Sequence, residues 1–276
     1  MARIGDVWDS TTDVLAGRAG VIAPLALVAF VLPSAVQNAI RLYGAPGPGA
    51  AALVALIGLA GLLANLWAQL AIIAVASHPA TDRAEAGRLA LRRLPANLLV
   101  LLVLFGLGVL LALPVVATLI ATHYDFTAAA AYKGTGTMPS IAPGAFGFLA
   151  LYSLVLIGLG LWISARLFLV NAVILNEHRA LGALRRSFEL TRGLTWKLIG
   201  VALLFFVVFT VSLLAAQSVV GIVFRLVLGP ENIATAQFMA AIAAALVTAA
   251  FTSVVQVFAA RLYAAVTGGG SAPVPA

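Results

Sequence analysis

ANLLVLLVLFGLGVLLALPVVATLIA, residues 96–121, decides the fold. The stretch contains no charged residue. Coiled as a helix at 1.5 Å per residue it reaches about 39 Å, more than the roughly 30 Å of bilayer hydrocarbon. It has no polar–apolar alternation, so a strand of a transmembrane barrel is excluded for it.

Five further apolar runs flank it, near 19–41, 50–77, 146–176, 197–223 and 234–262. Each is long enough to cross a membrane, and the longer ones imply tilt or projection beyond it. Composition agrees: 63% of the 276 residues are hydrophobic and 9% are charged, against roughly 25% charged in soluble domains. The expected fold class is therefore all-α, a polytopic membrane bundle of about six transmembrane helices. It is expected to form a single domain over residues 1–267, followed by a Gly/Pro-rich disordered tail, 268–276.

There are no cysteines, which removes disulfides, thiolate metal sites and cysteine nucleophiles together. The formal net charge is +7. Its cations stand in short segments beside apolar runs, so they are read as facing anionic phospholipid headgroups in the lipid bilayer rather than nucleic acid. Asp6, Asp9 and Asp13 precede the first apolar run, which argues against a cleavable signal. Residues 3–18 have helical periodicity, with Ile4, Val7, Trp8, Val14 and Leu15 on one face, and are expected to form an amphipathic surface helix.

With six spans, both termini share one side with the connections 78–95 and 178–196. That side carries Arg3, Arg18, Arg83, Arg88, Arg92, Arg93, Arg179, Arg185, Arg186, Arg192, Lys197 and Arg261. The opposite side carries Arg41, Lys133 and Arg225. This bias predicts that the basic side is cytoplasmic.

The two basic connections align without gaps at a shift of 99 residues, His78 falling on Glu177 and Arg93 on Arg192. The match suggests a parallel internal repeat of helix, amphipathic cytoplasmic surface helix, helix; chance similarity of two basic amphipathic loops is the rival reading. In the second copy Leu181, Leu184, Phe188 and Thr191 share one face while Arg185, Glu189 and Arg192 take the other. Gly193 follows as a natural helix stop, and Trp196 opens the next span at headgroup level.

The run ARLFLVNAVILNEHRALGALRRSFELTRGLTWKLIGVALL, residues 165–204, resembles the membrane domain fused to some glycerophosphoryl diester phosphodiesterases and also found alone in bacteria. The features that carry the likeness are an arginine within a helix, a glutamate at its end, then A-L-R-R-S-aromatic-x-L-T-R-G and an aromatic-led helix. The N-terminal GDVWDSTTDVLAG, residues 5–17, is similar to stand-alone members. The resemblance implies a membrane domain and no phosphodiesterase activity, since that reaction belongs to a separate soluble barrel.

Arg166 is the sharpest single feature. Eleven residues above Glu177, it is expected about 16 Å from the inner surface, near the bilayer midplane, where an unpartnered cation costs at least about 2.5–3.5 kcal/mol. Two readings stand. Arg166 binds an anion or lipid phosphate, or it joins a structural network with Asn171, Gln217 or backbone carbonyls. Asn65, Gln69, Gln237 and Gln256 either line a polar path or cross-link helices. Ala241, Ala245, Ala249 and Ser253 form a small-residue stripe, suited to internal packing or to a homodimer face. His78, Glu177 and His178 stand at matching span ends, where Glu177 is expected to pair with a loop arginine rather than to bind a metal.

No H-E-x-x-H, G-x-S-x-G or P-loop is present, and no cofactor is implied. The sequence points to a non-enzymatic protein that recognises lipid or a membrane protein partner through basic helices, with Arg88, Arg92, Arg93, Arg185, Arg186 and Arg192 as contacts. The alternative is a small transporter or lipid-moving protein, with a polar path near Arg166.

Overall fold

A computed structural model describes residues 3–268 except 46, 79 and 133–139. Lys133, Gly134, Gly136 and Pro139, and the expected disordered tail from residue 269 on, lie outside the described residues.

Among the described residues the chain is helical throughout, with no strand, and six long apolar stretches cross from end to end. The first is Ile4–Tyr43, made of α1 (Ile4–Ala26), a widened π turn (Leu27–Val31) and α2 (Leu32–Tyr43). The others are α3 (Pro48–Ser77), α4 (Arg83–Ala121), α6 (Pro143–Arg166) continued by α7 (Val170–Asn176), α9 (Thr195–Leu228) and α10 (Ile233–Thr267). The short helices α5 (Phe126–Ala131) and α8 (Gly182–Leu190) lie in connections at opposite ends. The chain is thus a multi-pass α-helical membrane protein, as its apolar runs predict.

The two ends of the bundle are packed very differently. Ala68 and residues 70–76 of α3 are buried all round, as expected of a helix segment that is apolar on nearly every face. They are enclosed by Ile22, Leu25, Ala26, Ala29 and Phe30 on the first stretch, Ala86 and Ala90 on α4, Ala172 and Leu175 on α7, and Val257 and Ala260 on α10. Alanines at these contacts let the backbones approach closely. Towards the other end, Leu53, Leu56, Phe105, Leu110, Leu154, Phe206 and Val211 are all exposed, which is tolerable only against lipid.

Helix length explains the contrast. The 39 residues of α4 span about 58 Å, and the 30 of α3 about 45 Å, against roughly 30 Å of hydrocarbon. The charge-free part of α4 begins after Arg93, so the surplus falls at the basic end and makes a packed base.

Three expected surface helices differ in form. The segment 3–18 is continuous with the first span and bends at Arg18, whose backbone leaves the helical region. There the Arg18 side chain donates to the carbonyls of Val75 (3.3 Å) and Thr81 (3.0 Å), covering the end of α3. The segment 78–95 is likewise the first turns of the unbroken α4, started by Asp82, which accepts from the Glu85 amide at 2.7 Å. Only α8 is a separate helix, lying on the base with Ala183 and Ser187 on its buried face and Arg185 and Glu189 on its exposed one.

The two halves of the suggested repeat therefore diverge. Gly193 adopts φ +84° and ends the α8 region; its counterpart Leu94 lies within continuous helix. The fourth span breaks at residues 167–169, whereas α3 runs unbroken.

Candidate functional site

The base of the bundle gathers most of the singled-out polar residues, in three separate clusters. The first is built where α6 stops. The Arg166 carbonyl, freed by the break after α6, accepts from the hydroxyls of Ser187 (2.7 Å) and Thr191 (3.2 Å). Its guanidinium donates to the Phe188 carbonyl at 3.0 Å and lies over the rings of Trp162 and Phe188, 5.4 and 5.7 Å from their centroids. Arg166 thus clasps α8 with both its main chain and its side chain.

This corrects the expected depth of Arg166. Beyond the break, α7 descends and α8 folds back, so that Phe188 lies level with Arg166. The outer face of α8 carries Arg185 and Glu189, whose side chains are 88% and 49% exposed. A helix with that face in water cannot sit at a bilayer midplane, so Arg166 belongs to the base. The partner is a backbone carbonyl and two aromatic rings; Asn171 and Gln217 point elsewhere. The guanidinium Nε is buried without a partner.

The second cluster is centred on Glu177, whose side chain is 17% exposed. It accepts from Arg186 Nε at 3.0 Å and from the Tyr263 hydroxyl at 3.2 Å, and pairs with Arg179 at 3.2 Å. Arg186 reaches Glu189 as well, at 3.5 Å. The hydrogen bond and charge of Glu177 hold the Arg186 guanidinium above its ordinary pKa. Glu177 therefore pairs with loop arginines, as the sequence suggests. Arg185 pairs with Glu189 at 3.1 Å. Among the described residues no three metal-binding side chains gather.

The third cluster is of amides. Gln69 Oε1 accepts from Asn171 Nδ2 (3.1 Å) and Gln256 Nε2 (3.0 Å), while Gln69 Nε2 donates to Asn65 Oδ1. One residue thus ties α3, α7 and α10 together. Asn65, Gln69 and Asn171 meet as a structural network. Gln217 and Gln237 do not join it. They line a separate cavity of about 270 Å³ with Arg225, between α9 and α10, and about 28 Å of helix separates Gln237 from Gln256. Of the stripe Ala241, Ala245, Ala249 and Ser253, the last three are buried within the chain and serve internal packing, while Ala241 is half-buried.

Two features escaped the sequence reading. Arg18 and Arg261 have structural partners, Arg261 donating to Ser10 at 2.6 Å. More telling is the contrast between the two basic connections. On α8, Arg185 and Arg186 are engaged by carboxylates, whereas Arg83, Arg88, Arg92 and Arg93 on α4, and the exposed Arg192 just beyond α8, have no carboxylate within ion-pair distance among the described residues.

Fold and site define a six-span membrane protein whose basic base is held by a lone-arginine clasp, a glutamate hub and an amide network. The chain belongs to the family described as Domain of unknown function (DUF7847), whose model matches residues 10–266. No curated protein and no solved structure matches it.

Proposed function

We propose that this is a non-enzymatic protein of a bacterial inner membrane, with both termini cytoplasmic, that recognises anionic lipid through its basic base. The observation that carries this reading is the row of carboxylate-free arginines on α4: Arg83, Arg88 and Arg92 are exposed and Arg93 half-exposed. They occupy the first three turns of the helix, from about 16 Å before its charge-free part up to its edge. Cations near an anionic surface contribute about 1 kcal/mol each.

The transport reading asks for one cavity shared by Arg166, Asn65 and Gln237. Asn65 instead serves Gln69, Arg166 serves Phe188, and Gln237 lines a distant cavity. The kinship suggested by residues 165–204 to the membrane domain of glycerophosphoryl diester phosphodiesterases fits the same proposal. Five of the residues that carry the likeness, Arg166, Glu177, Arg186, Ser187 and Thr191, take part in the clasp and the hub.

Native mass spectrometry after gentle extraction tests the function. Anionic phospholipid is expected to remain on the wild type and to be lost from Arg83→Gln/Arg88→Gln/Arg92→Gln/Arg93→Gln. Equal retention by both proteins sinks the proposal. Orientation has its own check, since the native chain has no cysteine to interfere. Thr12→Cys should resist a membrane-impermeant maleimide added outside intact cells and Gly47→Cys should react; the reverse pattern contradicts cytoplasmic termini.

A further inference from the structure

Between the first stretch and α4, at the level of the free arginines, the surface opens into a groove of about 720 Å³, within the roughly 300–1,000 Å³ of small-molecule sites. One wall is Pro24, Leu25 and Val28; the other is the α4 face that carries Ala84, Gly87 and Leu91. Trp67 of α3 forms the floor. Its indole N–H donates to the Gly87 carbonyl at 3.0 Å, and a Cβ on Gly87 would stand 3.1 Å from the ring, so a glycine is what allows this approach. The π turn begins beside the groove, at Leu27, between two prolines (24 and 33) that each remove a backbone donor. Such widened turns are frequent at functional sites.

The groove has a direction. Arg83 and Arg88 line its two edges on α4, about 7.5 Å apart along the axis, and no carboxylate lines it. Val28 and Leu91, further towards the membrane, are 59% and 62% exposed. Cationic edges at the watery end and bare aliphatic walls at the membrane end match one kind of molecule.

We infer that the groove binds a single anionic glycerophospholipid, its phosphate between Arg83 and Arg88 and its glycerol and first methylenes against Leu25, Val28, Leu91 and the Trp67 ring. The inference rests on the proposed lipid recognition and names its site and ligand class. Arg92 and Arg93 lie outside the groove and supply only general attraction to the surface.

Trp67 makes the groove observable. With Trp8→Phe, Trp162→Phe and Trp196→Phe, it is the sole indole of the four in the chain. The protein is placed in phosphatidylcholine vesicles containing either brominated phosphatidylglycerol or brominated phosphatidylcholine, and Trp67 emission is followed. Brominated phosphatidylglycerol is expected to quench at a several-fold lower mole fraction. Arg83→Gln/Arg88→Gln should erase that preference, Arg83→Lys/Arg88→Lys should keep most of it, and Arg92→Gln/Arg93→Gln, which removes only general attraction to the surface, should lower it far less. Equal quenching by both lipids overturns the groove, as does an equal loss in the two glutamine pairs. If phosphatidylglycerol still co-purifies with the protein in either case, the broader lipid reading survives; if it does not, both fall.

Discussion

Arg166→Ala is expected to destabilise the protein by about 2–4 kcal/mol, read as the midpoint of unfolding in mixed SDS–neutral detergent micelles. The change deletes a charged hydrogen bond to the Phe188 carbonyl, a kind of bond worth about 1.5–3 kcal/mol. It also removes the stacking on Trp162 and Phe188, worth about 0.5–2 kcal/mol. Since these contacts fasten α8, the loss should be local first. Trypsin should cut after Arg185 and Arg186 well before the rest of the base opens. Arg166→Lys keeps the charge and loses the planar stacking, and should fall between. Wild-type stability and an intact α8 in Arg166→Ala would remove the clasp and restore the anion-site reading of this residue.

Gln69→Leu should cost more, about 2–5 kcal/mol. The new side chain fits an apolar helix, so little is lost to packing. What is lost are the partners of Asn65, Asn171 and Gln256. Interhelical hydrogen bonds in membrane proteins average only about 0.6 kcal/mol each when both partners are removed. Stranding a buried polar group costs about 1–3 kcal/mol, and here one change strands the buried Gln256 and the half-buried Asn65 and Asn171. Asn65→Ala, which strands only the Gln69 amide, should cost about 1 kcal/mol on the same scale. Equal effects of the two substitutions would mean that Gln69 is not the centre of the network.

The membrane-spanning architecture was legible because lipid demands long uncharged runs, and residues 96–121 meet that demand with no ambiguity. Span ends were less so. Leu94–Pro95 reads like a boundary, yet α4 continues through it, because proline removes a single donor and the surrounding base supports the turn. Conversely, the break after Arg166 left no mark in hydropathy, since residues 167–169 are all apolar. It becomes visible only once Ser187 and Thr191 are brought to the freed carbonyl. The depth of Arg166 was misread for the same reason: counting residues along one helix assumes that the helix is straight and that the bilayer starts at its charged end. Glu177 paired as expected because two arginines stood within reach along the chain. That the arginines of α8 are engaged by glutamates, and those of α4 are not, depends on folded geometry and could not be counted from composition.

In the proposed lipid recognition the arginines of α4, and not those of α8, hold anionic lipid. The most direct measurement compares phosphatidylglycerol retained, by native mass spectrometry, on Arg83→Gln/Arg88→Gln/Arg92→Gln/Arg93→Gln and on Arg185→Gln of α8. The account predicts that the α4 variant loses the lipid and that the α8 variant keeps it at the wild-type level. Retention by the α4 variant with loss from the α8 variant would contradict it and move recognition to the opposite side of the base.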